Sequence, residues 1–249
     1  TTEHVIVDAV NYSPALDAAE EIFGQRVLPF YDLSTSELVV SFNADFLGDY
    51  NGGGFEGGYA AARKPGKTML RHIQVESNLS MTGANSDSRY PMKQTDVLKT
   101  LAEVYKGLTA GTSDKVASEI VKEIKAKGSK AVVLADGNKE AFALCYAINQ
   151  LINSDAVSKT KVTLLKESND KAFDQFLADA NAGNVGALIT FQANPVYNHP
   201  KSKQFVSSLS KIGLKVMMSE KLDETAQYAD IVAPVPHVLE SWNDINPIT

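Results

Sequence analysis

The chain is poor in cysteine and histidine and has no long apolar run, and each scarcity removes a class of function. Its one cysteine, Cys145, excludes an internal disulfide and any iron-sulfur or zinc site built on four cysteines. It lies in the apolar stretch Ala141 to Ile148, which predicts a buried structural thiol. The histidines His4, His72, His199 and His237 are scattered without metal-ligand spacing, and no H-E-x-x-H occurs. No apolar run approaches the roughly 18 residues that a membrane helix needs, so direct membrane insertion is not expected. Lys and Arg total 24 against 30 Asp and Glu, a net charge of -6 with no basic run, which argues against nucleic acid as a partner. No G-x-S-x-G elbow is present, and nothing else in the sequence marks a nucleophile.

What is present is ordinary globular composition, 44% hydrophobic and 22% charged over 249 residues, enough for one large or two ordinary domains. The chain has no initiator Met and enters an expected strand, His4 to Val7, almost at once, which suggests a piece of something longer. Its most informative feature is a pattern that occurs twice. Glu37 to Asp45, an apolar strand ending in a polar turn, is followed by His72 to Asn85, a second strand running into a Thr-containing turn. Gly186 to Pro195 and then Lys215 to Asp230 repeat the arrangement. Between and after these, helices are expected at 95–106, 114–127, 139–152, 170–182 and 201–211. They alternate with strands at 130–135, 161–165, 186–191 and 214–218, while 77–93 reads as an irregular turn. Strands alternating with helices of this length imply right-handed crossovers and parallel sheets covered on both faces. The fold class expected is α/β, two Rossmann-like units with mainly parallel sheets flanked by helices. The first unit covers 1–110 and the second 111–249, with a linker at 107–112.

In such sheets ligands bind outside the carboxyl ends of the strands, so the polar turns of the repeated pattern are the first places to look. Gly52, Gly54 and Gly57 formally satisfy G-x-G-x-x-G, with Glu76 about 20 residues on where a ribose-binding acid would stand; this is the NAD-dependent alternative. Its placement is poor, because the glycines do not follow the strand directly and Pro65 leaves only a short helix. Gly66-Lys67-Thr68 lacks the earlier glycine of a P-loop, with Ala61 in its place, and precedes a strand, so it reads as a turn. His72, on a strand, reads as a structural histidine. Asp136-Gly137-Asn138 opens a helix and reads as a cap or an anion-facing helix start. The turn Phe191 to Pro195 and the run Asp223 to Pro234 offer short polar side chains at two strand ends.

These last stretches, with Leu239-Glu240-Ser241-Trp242, resemble the second α/β domain of the molybdopterin oxidoreductase (dimethyl-sulfoxide-reductase-like) family, and 37–96 resembles its first. Asn11 to Asp17, Ala44 to Gly48, Arg71 to Ser77 and Leu79 to Asn85 are most similar to one branch. That branch is the iron-sulfur, molybdopterin-oxidoreductase-like subunit of bacterial alternative complex III, a quinol:electron acceptor oxidoreductase. The resemblance implies an internal fragment of a longer subunit in a membrane-bound respiratory electron-transfer complex, on the periplasmic side of the inner membrane. The other subunits would be its partners, and the iron-sulfur clusters would lie outside this chain. Cofactor-bearing family members hold two molybdopterin guanine dinucleotides at the strand ends. By that likeness Asn194, Glu220, Asp223 and Thr225 are the candidate cofactor-binding residues, a vestigial pterin-nucleotide crevice, with no catalytic residue and no metal ligand. The chain departs from the family pattern at Asn43-Ala44-Asp45-Phe46, in place of Gly-x-Asn-Pro, and at Glu76-Ser77, in place of Pro-Arg. Both changes put acidic groups where phosphates are expected. They agree with the branch's implied loss of the molybdenum cofactor, and with a scaffold that has no activity of its own.

Overall fold

The computed structural model describes residues 2–244 except 49, 67 and 164–166. The chain forms two compact units, Pro14–Leu165 and a discontinuous one of Thr1–Ser13 with Lys166–Pro247. This division differs from a single boundary at 110/111, and the reason is strand pairing. The strand at 131–135 joins the first sheet, so residues 111–165 belong to the larger unit.

In chain order the larger unit contains α1 (Ser13–Phe23), β1 (Leu28–Tyr31), β2 (Leu38–Phe42), α2 (Glu56–Ala62), β3 (Arg71–Glu76), α3 (Met81–Ala84) and β4 (Ser88–Pro91). It continues with α4 (Gln94–Thr109), α5 (Lys115–Lys127), β5 (Ala131–Ala135), α6 (Lys139–Leu151) and β6 (Val157–Thr163). Its main sheet is parallel, in the order β4-β3-β2-β5. β2 (LVVSF) and β5 (AVVLA) are buried along their whole length, as continuous apolar runs in a parallel sheet should be. α5 starts on the side-chain cap of Asp114, and α6 on that of Asn138, which accepts from the Ala141 N–H. The open edge of β5 is closed by side chains. Asn149 accepts from the Val133 N–H at 2.8 Å and donates to its carbonyl at 2.7 Å, and the Ser154 hydroxyl donates to the Ala131 carbonyl at 2.6 Å. Unpaired strand groups are thereby satisfied without another strand. Cys145 is buried, as expected, and burial pushes its thiol up to about 12, which leaves it inert at neutral pH.

Four local expectations are corrected. The stretch 107–112 is no linker: α4 runs on to Thr109 and turns back into α5. Gly107 sits where an added Cβ would stand 2.8 Å from both Thr112 Cγ2 and Val121 Cγ2, so any larger residue there would force these side chains to shift. Residues 77–93 contain α3 and β4. The strand expected at 161–165 is β6, which begins earlier and pairs antiparallel with β1, a short strand with no periodic signal; residues 164 and 165 lie outside those described. His4 to Val7 forms no strand; Val5 and Val7 instead pack on the core of the smaller unit.

The smaller unit contains α7 (Asp170–Asn181), β7 (Ala187–Phe191), α8 (Pro195–Asn198), α9 (Ser202–Leu209), β8 (Leu214–Ser219) and β9 (Ile231–Pro234). Its sheet, β7-β8-β9, is also parallel. The core lies on one side of it, where Phe173, Leu177, Phe205, Leu209 and Ile212 are buried with Leu188 and Val196 against them. Both units therefore show the expected class: mixed α/β, with parallel sheets flanked by helices.

Candidate functional site at the strand ends

The pattern that occurs twice in the sequence is repeated bond for bond in the structure. β2 ends in Phe42, and Asn43 follows with φ 57, its N–H donating to the Val75 carbonyl at 2.9 Å. β7 ends in Phe191, and Gln192 follows with φ 48, its N–H donating to the Met218 carbonyl at 2.9 Å. Two residues further on comes a side-chain clasp. Asp45 Oδ1 accepts from the Thr82 N–H at 3.0 Å and hydroxyl at 2.6 Å, and the Leu47 N–H donates to Thr82 Oγ1 at 2.9 Å. In the other copy Asn194 Oδ1 accepts from the Thr225 N–H at 3.2 Å and hydroxyl at 2.7 Å, and the Val196 N–H donates to Thr225 Oγ1 at 3.2 Å. Each copy also fixes the start of its second strand: the His72 N–H donates to Asp87 and the Lys215 N–H to Asp230, both at 2.7 Å.

Of the four residues singled out by resemblance, Asn194 and Thr225 are thus brought together. Asp223 turns inward as a cap, accepting from the Ala226 N–H at 2.8 Å and from the Ser219 hydroxyl at 3.0 Å. Glu220 is exposed and accepts from the Gln192 amide at 3.4 Å. The equivalent clasp of Asp45 and Thr82 was not singled out. Its signal was present in the repeat, where Phe-x-Ala-Asp/Asn leads to Leu-x-x-Thr and then an Asp.

The larger unit holds a cavity of about 290 Å³ outside the carboxyl ends of its strands. Asn43 follows β2, Glu76 and Ser77 end β3, and Asp136 and Gly137 follow β5; Asn78, Ser80 and Gln94 complete the wall. From β2 the chain crosses to β3 on one side, while β5 lies on the other, so the strand order reverses here. That is where open α/β sheets place ligands.

Five of the lining residues are engaged with one another. Gln94 Oε1 accepts from Asn43 Nδ2 at 2.9 Å and from the Ser77 hydroxyl at 3.0 Å, and Asn43 Oδ1 accepts from the Ser77 N–H. Glu76, buried, pairs with Arg89 Nε at 2.5 Å and accepts the Ser80 hydroxyl at 2.6 Å. Burial alone would push its carboxyl up, but the bonds from Ser80, Arg89 and Gln74 together outweigh it and hold the group below the usual carboxylate range. α3 lies so close that a Cβ on Gly83 would stand 2.0 Å from Glu76 Oε1.

Behind Glu76 runs a buried chain along one face of β3. His72 Nε2 donates to Gln74 Oε1, Gln74 Nε2 donates to Glu76 Oε2, and the Tyr59 hydroxyl meets His72 Nδ1 at 3.0 Å. The carbonyl oxygen of Gln74 only accepts, which places the histidine proton on Nε2. His72 is structural, as its place on a strand suggested. Burial pushes its pKa down from 6.5 to about 4, so it folds neutral while the unfolded chain takes up a proton. Stability contributed by neutral His72 is present above 6.5 and is lost as pH falls from there to about 4. The ring resonances of His72 are accordingly expected to remain those of neutral imidazole at about pH 5.5, where an exposed histidine is mostly charged. A protonated spectrum there would contradict the buried chain.

The other motifs fall elsewhere. Gly52, Gly53 and Gly54, all at positive φ, form a turn between buried Tyr50 and Phe55 that opens only the seven-residue α2. Lys67 lies outside the described residues. Among the described residues no group of His, Cys, Asp and Glu could hold a metal ion, and no helix is long and apolar enough to cross a membrane.

No protein-family model matches the chain. Over 69 residues it is 38% identical to the menaquinone reductase, molybdopterin-binding-like subunit of Nitratidesulfovibrio vulgaris; the match covers 28% of this chain and 10% of that protein. Among solved structures, a chain of the formyltransferase/hydrolase complex FhcABCD of Methylorubrum extorquens, solved with methylofuran, is similar with a TM-score of 0.56 at 10% identity. That match covers 90% of this chain and 70% of that one, a likeness of fold. The chain thus has a partial sequence relationship with a molybdopterin-binding-like subunit and spans about a tenth of that protein's length.

Proposed function

We propose that this chain is a cofactor-free scaffold, a molybdopterin-oxidoreductase-like part of a quinol-linked respiratory complex that positions an iron-sulfur domain lying outside it. The relative it matches is a molybdopterin-binding-like subunit of a menaquinone reductase, which supports the quinone-linked setting. The motif resemblance makes that complex alternative complex III in this reading, with the chain on the periplasmic side of the inner membrane.

One observation carries the loss of the cofactor: the strand-end groups that would meet an anionic dinucleotide are acidic or already bonded within the protein. In the larger unit Glu76 and Asp136 line the cavity, and Asn43, Ser77 and Gln94 bond to each other. In the smaller unit Asn194 gives its oxygen to Thr225 and its Nδ2 to Glu224, at 2.7 Å. A pyrophosphate would have to displace these bonds and approach two acidic residues. The residues therefore do not fit the group that the family otherwise carries, and Glu76, tied to Arg89, is equally unavailable to the ribose of NAD.

The test is a thermal-shift series with molybdopterin guanine dinucleotide, GDP and NAD. A ligand at about 100 times its dissociation constant stabilises the fold by about 2.7 kcal/mol, a rise of several degrees for a chain of this size. No shift is expected with any of the three. A guanine-selective rise would replace the scaffold with a cofactor-binding domain, and an NAD-selective rise with a dehydrogenase.

A further inference from the structure

The glycine-rich turn ahead of α2 holds the one Asn-Gly pair of the chain, Asn51-Gly52. The Gly53 N–H donates to the Tyr50 carbonyl at 2.9 Å, and both central residues have positive φ, 48 at Asn51 and 89 at Gly52. Positive φ at both central positions marks a type I′ turn, which asparagine tolerates and glycine favours. Gly53 and Gly54 continue at φ 81 and 88, and a Cβ added at either would meet nothing within 4 Å. The backbone here can rotate at little steric cost.

The reacting groups of this pair are unrestrained. Asn51 is 8% exposed, yet its Nδ2 has no hydrogen-bond partner, and among the described residues the Gly52 N–H donates no hydrogen bond. Other asparagines at positive φ are held. Asn43 bonds through both ends of its amide, Nδ2 to Gln94 and Oδ1 from the Ser77 N–H. Asn153, at φ 49, is followed by Ser154, whose N–H is tied to the Asn149 carbonyl at 2.9 Å.

We propose that Asn51-Gly52 is a self-modification site, which deamidates through a cyclic imide while the chain is folded, and that the product loosens the larger unit. The Gly52 backbone nitrogen gives its proton to solvent base and attacks Asn51 Cγ. The new C–N bond closes a five-membered ring, the Cγ–Nδ2 bond breaks, and Nδ2 takes a proton from solvent and leaves as ammonia. Water then opens the ring at either carbonyl, giving aspartate or isoaspartate. Nucleophile and electrophile are neighbours in the chain, so burial of the side chain does not part them, and exposed Gly54 leaves the turn open to water. The product puts a carboxylate between buried Tyr50 and Phe55, where a charge without a partner is destabilising. Tyr50 carries the effect inward, since its hydroxyl donates to the Ala135 carbonyl at 3.0 Å, next to Asp136 in the cavity wall.

The experiment holds the full chain at mildly alkaline pH, folded in buffer and unfolded in urea, and follows conversion at Asn51 and Asn153 by peptide mapping with mass spectrometry. A site that reacted only after global unfolding would be slowed by on the order of a thousandfold or more in the folded chain. At Asn51 folding is expected to slow conversion by less than about tenfold, a barrier difference under about 1.4 kcal/mol, with isoaspartate among the products. At Asn153 the slowing is expected to be greater than at Asn51. Slowing of about tenfold or more at Asn51, slowing at Asn153 no greater than at Asn51, or aspartate without isoaspartate would each overturn the proposal. Asn51→Asp, which places the carboxylate there directly, is expected to lower the melting temperature by several degrees; an unchanged melting temperature would overturn the loosening of the larger unit.

Discussion

Arg89→Met is expected to destabilise the larger unit by about 3 kcal/mol, the lower end of what breaking a buried ion pair costs. That lowers the melting temperature by roughly 6–12 °C. The size of the effect comes from the partner left behind. Glu76 is buried, its side chain 3% exposed, and among the described residues Arg89 is the one cation bonded to it. Ser80 and Gln74 donate to the carboxylate but do not neutralise it. Nor can the carboxylate swing away, because α3 closes over it at Gly83. The double variant Arg89→Met, Glu76→Gln removes the stranded charge and is expected to recover most of the loss.

The pH dependence tests the same pair with a definite sign. Glu76 is held below its ordinary value of 4.5, so its contribution is complete above 4.5 and is lost as pH falls through the lower folded value. The gap between the wild-type chain and Arg89→Met, measured by urea unfolding, should be full at neutral pH and close in acid. A gap that stays constant down to about pH 2 would mean that Arg89 acts through packing rather than charge.

The expectations that held were those carried by local chemistry. The apolar runs of β2, β5 and β8 and the cap at Asn138 each rest on a few adjacent residues. The doubled strand-turn pattern was legible for the same reason. Long-range pairing was not legible. Nothing near 131–135 says that it lies beside β2 rather than in a second sheet, which is why the division into units was drawn differently. Val5 and Val7 look like a strand, but their apolar side chains serve a core without joining a ladder. At the strand ends, Asn194 and Thr225 stood out singly, whereas their bonding to each other, and the matching Asp45 and Thr82, appeared only in three dimensions. The half-open sheet could not be read at all, because Ile189 and Phe191 have the same sequence character as Val40 and Phe42.

That half-open sheet sets up a contrast between two phenylalanines of the smaller unit. Phe205→Ala is expected to cost about 3–5 kcal/mol, the usual range for a buried aromatic. Its ring is 2% exposed and stacks on Phe173, with centroids 5.9 Å apart, in a core that lies on one side of the sheet only. A domain's whole stability is of order 5–15 kcal/mol, so this variant should approach unfolding of its unit. Native-state hydrogen exchange should show the amides of β7 and β8 losing protection while those of β2, β3 and β5 keep theirs. Phe191→Ala, at the end of β7, is expected to change the stability of the isolated chain by no more than about 0.5 kcal/mol, since its side chain stands in solvent. A large stability loss from Phe191→Ala would show that this face is already covered; a loss below about 1 kcal/mol from Phe205→Ala would mean that the one-sided core is not what holds the unit together.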